Sequence, residues 1–156
     1  MLRETSADEI QKLLAHPEHI TSLLEEKAGF IDLDKAWHGI HFLLTSSAWG
    51  GSEPLCYLIK GGRHIGDVDV GYGPARVLTP AEVRSFNLAL SAITRDVLAS
   101  RFDRAEMMRQ KIYPERWYRE PKEDDALGYL LEPFEILKSF VCQIAENGLG
   151  IITYLC

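Results

Sequence analysis

Twelve residues near the middle of the chain, Ile65-Gly66-Asp67-Val68-Asp69-Val70-Gly71-Tyr72-Gly73-Pro74-Ala75-Arg76, restrict what it can fold into because they break the periodic patterns on either side. Glycine lets backbone turn through positive φ or approach another group closely, and Pro74 holds its own φ and steers Gly73 away from helix. The spacing predicts a constrained loop carrying Asp67, Asp69, Tyr72 and Arg76, the first group of candidate binding residues. In an extended Asp-x-Asp both carboxylates point to the same side, which suits a cation, a metal or an arginine held bidentate. The competing reading is an internal salt bridge from Arg76 to Asp67 or Asp69 that pins the loop. An EF-hand is excluded by spacing and by the missing terminal Glu, and Gly71-Tyr72-Gly73 lacks the strand and third glycine of a dinucleotide turn.

On either side of this stretch the pattern is mainly helical. Ser6 followed by Glu9 at the third helical position reads as a capping box, with Ile10, Leu13 and Leu14 on one face until Pro17. Ile20, Leu23 and Leu24 repeat the spacing, so that two short helices are expected as a lid over a single core. A third helix is expected from about Asp34, as its cap, to Thr45. Pro54 to Lys60 reads as a short buried helix, and Arg76-Val77-Leu78 as a brief strand. Thr79-Pro80-Ala81-Glu82 opens a helix with Val83, Phe86, Leu90 and Ile93 inward. Helices also follow around Val97 and from Asp103, stopped by Tyr113-Pro114. After a loop holding Trp117 and Tyr118 comes a long apolar helix ended by Gly148, which Pro133 is expected to kink or split. Leu149 to Leu155 is a β-branched and aromatic strand that needs a partner, either the N-terminal segment or Arg76-Val77-Leu78. The expected class is α+β: one mostly helical domain over residues 1–156, with a small sheet that includes the C-terminal strand.

Composition narrows function by exclusion. With 17 Lys and Arg against 23 Asp and Glu the formal charge is −6, which argues against nucleic acid and favours a basic protein or a small cationic ligand. At 46% apolar and 26% charged the chain is globular, without the run of about eighteen apolar residues a membrane span needs. The N-terminus lacks the basic-then-apolar order of a signal peptide, so a cytoplasmic protein without a membrane partner is expected. Cys56, Cys142 and Cys156 are odd in number and far apart, which favours free thiols over zinc or redox work.

A second candidate group lies on the third predicted helix, where Asp34, His38 and His41 fall at i, i+4 and i+7 beside Trp37. One face could present a carboxylate and two imidazoles for a metal or for acid and base work, while histidines among aromatics are more often satisfied core or rim residues. Aromatic residues form a third group. Trp37, Trp49, Tyr72, Tyr113, Trp117 and Tyr118 fall in or beside loops, the composition of recognition hot spots and pockets or of a core reaching into its loops. No nucleophile elbow is present, and no catalytic residue, metal or cofactor is assigned.

Taken together, the central stretch, Leu33-Asp34-Lys35-Ala36-Trp37-His38-Gly39-Ile40-His41-Phe42-Leu43-Leu44-Thr45 and Ile112-Tyr113-Pro114 resemble the YfbM-like family of small bacterial proteins, a domain of unknown function. The resemblance runs from about Leu33 to the C-terminus and implies an α+β fold of one domain, with no activity to carry over. It also implies a short opening strand, for which this chain supplies only Met1, Leu2 and Arg3 before polar residues. The function expected is that of a non-enzymatic binding protein for a protein partner, with toxin neutralisation as an immunity protein in view. The alternative is an enzyme or small-ligand protein in which the Asp34–His41 face and the Asp67–Arg76 loop share one pocket.

Overall fold

The computed structural model describes residues 1–26, 28–118 and 125–155; Cys156 of the sequence reading lies outside the described residues. The strands are β1 (Leu2–Thr5), β2 (Phe30–Ile31), β3 (Arg63–Asp69), β4 (Pro74–Leu78) and β5 (Gly150–Thr153). The helices are α1 (Ala7–Ala15), α2 (Ile20–Glu25), α3 (Ala36–Thr45), α4 (Pro80–Ser91), α5 (Arg95–Ser100), α6 (Arg104–Arg109) and α7 (Gly128–Glu146).

The five strands form one antiparallel sheet in the order β2-β1-β5-β4-β3. The C-terminal strand lies at its centre with all four residues buried, and both expected partners flank it: Leu2 pairs Thr153 on one side and Arg76 pairs Thr153 on the other. The short opening segment thus forms a strand because β5 satisfies its backbone, although its own sequence is mostly polar.

The central stretch is a hairpin rather than a loop. Ile65, Ala75 and Val77 are buried on one face of the sheet, and β3 pairs β4 with a register shift between His64 and Asp69. Gly66, at φ 58° inside that irregularity, would place a Cβ 2.5 Å from Pro17. A glycine that suggested irregular backbone in fact marks a bulge within a strand. Pro74 stands at the first residue of β4, where the missing donor is tolerated.

The sheet is covered on both faces, which corrects the expectation of one core beneath a lid. Ile10, Leu13 and Ile20 of the first two helices pack with Ile65, Val77 and Ile152 in a smaller cluster. The larger core gathers Leu2, Leu78 and Ile151 with α3, α4 and α7, including Ile40, Phe86, Phe134 and Leu137. Three further expectations change. Pro54 to Lys60 gives only a 3-10 turn over Leu55–Leu58. Helix α7 is not split at Pro133, which lies inside one continuous helix. Asp34 does not cap α3: Lys35 takes that position without a side-chain bond, and Asp34 has φ 45°. The caps at Ser6, Thr79 and Asp103 form, the second as a full capping box; at Ser6 only half of the expected box is present, the bond from Glu9 N–H to the Ser6 hydroxyl.

Candidate functional site

Helix α3 carries the aromatic part of the site at its N-terminal end. Before it, Asp34 N–H donates to Asp32 Oδ1 at 2.8 Å, and from α7 Tyr129 donates its hydroxyl to Asp34 Oδ2 at 3.1 Å. These bonds fix a turn that brings both carboxylates to the mouth of a cleft of about 620 Å³. Its floor is aromatic: Trp37 stacks on His38 with centroids 4.8 Å apart, and His38 meets Trp49 at 4.4 Å. Trp37 also stacks on Tyr113 at 6.2 Å.

His38 holds this arrangement together. Tyr113 N–H donates to its Nδ1 at 3.0 Å, so the ring proton is on Nε2, which donates to the Ala48 carbonyl at 2.8 Å. One buried imidazole therefore ties the two aromatic loops to the helix. Burial lowers its pKa, and the Ala48 carbonyl offsets only part of that. It is held neutral with both nitrogens occupied.

The hairpin contributes only its tip. Tyr72 N–H donates to the Leu155 carbonyl at 3.0 Å, and both residues line the cleft, with Tyr72 82% exposed. Asp67 is exposed elsewhere, and Asp69 accepts from Gly71 and Gly73 N–H at 2.8 and 3.0 Å, which lowers its pKa. Asp69 thus closes its own turn. Arg76 pairs with neither carboxylate among the described residues and donates instead to the Ile59 carbonyl.

His41 is also outside the cleft. It is fully buried, and among the described residues neither ring nitrogen has a partner in hydrogen-bond geometry, the Gly50 backbone approaching closely enough only to offset part of the effect of burial. Burial drives its pKa down to about 4. Trp117 is buried, donates Nε1–H to the Ile112 carbonyl at 2.6 Å, and lines a smaller adjoining hollow of about 310 Å³ that shares Lys35 and Tyr113. Of the candidates from sequence, Asp34, Trp37, His38, Trp49, Tyr72 and Tyr113 converge on the cleft, while His41, Asp67, Asp69, Arg76 and Trp117 do not. Among the described residues no cluster of His, Cys, Asp and Glu is placed to hold a metal ion.

Sequence reading missed Asp32, Lys35, Lys111, Glu115 and Leu155, which complete the lining. For Lys111 and Glu115 the signal is conformational. Four described non-glycine residues have positive φ, and three of them, Asp34, Lys111 and Glu115, line this cleft at φ 45°, 54° and 58°. Lys111 follows α6 in a Schellman turn, with Ile112 N–H on the Met107 carbonyl and Lys111 N–H on that of Met108. Helix α7 ends in the same two-bond turn, but there the left-handed position is Gly148. Left-handed backbone costs an L-residue about 1–2 kcal/mol, and such strain concentrates at functional sites.

A helical domain with a five-stranded sheet bound through both chain ends, and a cleft walled by the α3 aromatics, defines the class of protein. The chain belongs to the family described as a domain of unknown function, DUF1877, which matches residues 1–154. The structure is similar to the crystal structure of YfbM from Escherichia coli, a protein of unknown function. The match has a TM-score of 0.77 and 21% identity, over 97% of this chain and 95% of that one. That likeness concerns the fold. No curated protein matches the chain. Among the described residues no helix is long and apolar enough to cross a membrane.

Proposed function

We propose that this chain is a non-enzymatic binding protein whose recognition site is the aromatic cleft between α3, the hairpin tip and the Tyr113 loop. The observation that carries this reading is His38. A general acid or base needs a nitrogen free to move a proton, whereas both of its nitrogens are held by backbone groups that fix Ala48 and Tyr113. The imidazole acts as a strut for a recognition surface. Catalysis shared between histidines and hairpin carboxylates is poorly supported, since His41, Asp67 and Asp69 lie apart from the cleft.

Trp49 and Tyr72, 60% and 82% exposed on one rim, are the residue types that dominate protein–protein hot spots. Together with a formal charge of −6, they favour a basic protein partner, and neutralisation of a toxin by an immunity protein is the form of that role we put forward. A cleft of about 620 Å³ is also within the range of small-molecule sites, which keeps a small ligand as the second reading.

The test is co-expression of the tagged chain with proteins encoded beside its gene. A saturable complex that Trp49→Ala or Tyr72→Ala weakens at least about tenfold, and Asp67→Ala leaves intact, supports the reading. A complex indifferent to Trp49 and Tyr72 overturns the cleft as its site.

A further inference from the structure

We infer that the group entering the cleft is a cation, the guanidinium or ammonium of an arginine or lysine presented by a basic partner segment. The inference rests on the cleft being the binding site proposed above, and it assigns the chemistry of what binds.

Three observations converge on a positive charge. First, the lining is rich in aromatic rings. Trp37, Trp49, Tyr72 and Tyr113 line the cleft, and the imidazole between the two tryptophans is neutral and cannot repel a cation. Second, those rings carry no cation of the protein's own. Lys35 and Lys111 are on the same rim, yet the cation–π contacts among the described residues are Arg104 over Phe102 and Lys138 over Phe134, both elsewhere.

Third, the carboxylates are placed and unspent. Asp32, Asp34 and Glu115 line the cleft without an ion pair among the described residues. Among the described residues Asp32 and Asp34 accept only from neutral donors, a backbone N–H and a phenol, so each retains lone pairs for a cation. Asp34 and Glu115 are held there by left-handed backbone, a conformation the fold retains at a cost. The two lysines on long flexible stems can swing toward solvent, whereas short aspartates in a fixed turn cannot. The volume exceeds one side chain, which suits a charged head with its apolar stem and flanking backbone.

The experiment titrates the full chain with acetyl-Gly-Arg-Gly-amide and reads the indole N–H NMR signals, using the citrulline peptide as a neutral control of equal shape. Saturable shifts at Trp37 and Trp49 are expected for the arginine peptide, at least about tenfold tighter than for citrulline and weakened by salt. The Asp32→Asn, Asp34→Asn double variant should lose most of that preference while keeping its melting temperature, because Asn tolerates left-handed backbone and still accepts the Tyr129 hydroxyl. Equal binding of the two peptides, no binding of either, or an unchanged preference in the double variant overturns the inference. If the peptides fail while a partner complex still depends on Trp49, the cation falls and the binding role stands. If arginine binds as expected and no protein partner exists, the cation stands and the partner is a small basic ligand.

Discussion

His38 and His41 lie on the same helix, both buried, and do opposite things. His38 joins the chain across 75 residues by accepting from the Tyr113 N–H and secures Ala48 with its other nitrogen. Among the described residues neither His41 nitrogen has a partner in hydrogen-bond geometry. The difference shows that burial by itself says little about a polar residue; what matters is whether the backbone around it supplies partners. It also locates the site, since the satisfied histidine organises the cleft and the unsatisfied one faces the interior behind it.

Substitution by an apolar residue of similar size should separate them by sign. His38→Leu leaves the Tyr113 N–H and Ala48 carbonyl without partners and should cost about 3 kcal/mol by denaturant unfolding, with loss of arginine-peptide binding. A cost below about 1 kcal/mol would break the comparison. The pH dependence comes next in size. His41 has a folded pKa of about 4, below the ordinary value near 6.5. Between those values the unfolded chain binds the extra proton, so stability is fully present above pH ~6.5 and falls as pH drops toward ~4, by up to about 3 kcal/mol. In His41→Leu this fall should shrink to what His38 and the carboxylates contribute, while stability at neutral pH rises by about 1 kcal/mol because an unpaired polar group is gone. An unchanged pH profile would show that His41 is not the group responsible.

The smallest effect extends the contrast to the two Schellman ends. Lys111→Gly should stabilise the fold by about 1 kcal/mol and Gly148→Ala should cost about as much, though nothing lies within 4 Å of a Cβ at Gly148. Glycine serves where only the fold needs the turn; beside the cleft a side chain is kept in its place. If Lys111→Gly destabilises the fold, the strain account is wrong.

Features set by neighbours in the chain were legible in the sequence. The Thr79 cap, the buried stripe of Val83, Phe86, Leu90 and Ile93, and β5 with both of its partners depend on local spacing or on an apolar strand's need for pairing. The aromatic residues of the cleft were legible as types, since Trp37, Trp49, Tyr72 and Tyr113 fall in or beside loops, and of its acids only Asp34 was. Their convergence was not. The central glycines were read as a loop because the signal for bulge and turn is the same, and only pairing with β4 distinguishes them.

From its own residues the chain determined an α+β class, the helix starts at Ser6, Thr79 and Asp103, an apolar terminal strand in need of pairing and an acidic, aromatic-rich character. The tertiary structure decided which polar groups meet. It turned Asp67 and Asp69 away, sealed His41 inside, and brought Asp32, Lys111 and Glu115 to the aromatic wall. The physical reason is range: caps and periodicity act within a few residues, whereas a cleft is made by hydrogen bonds such as that from Tyr113 to His38, whose partners have no local pattern.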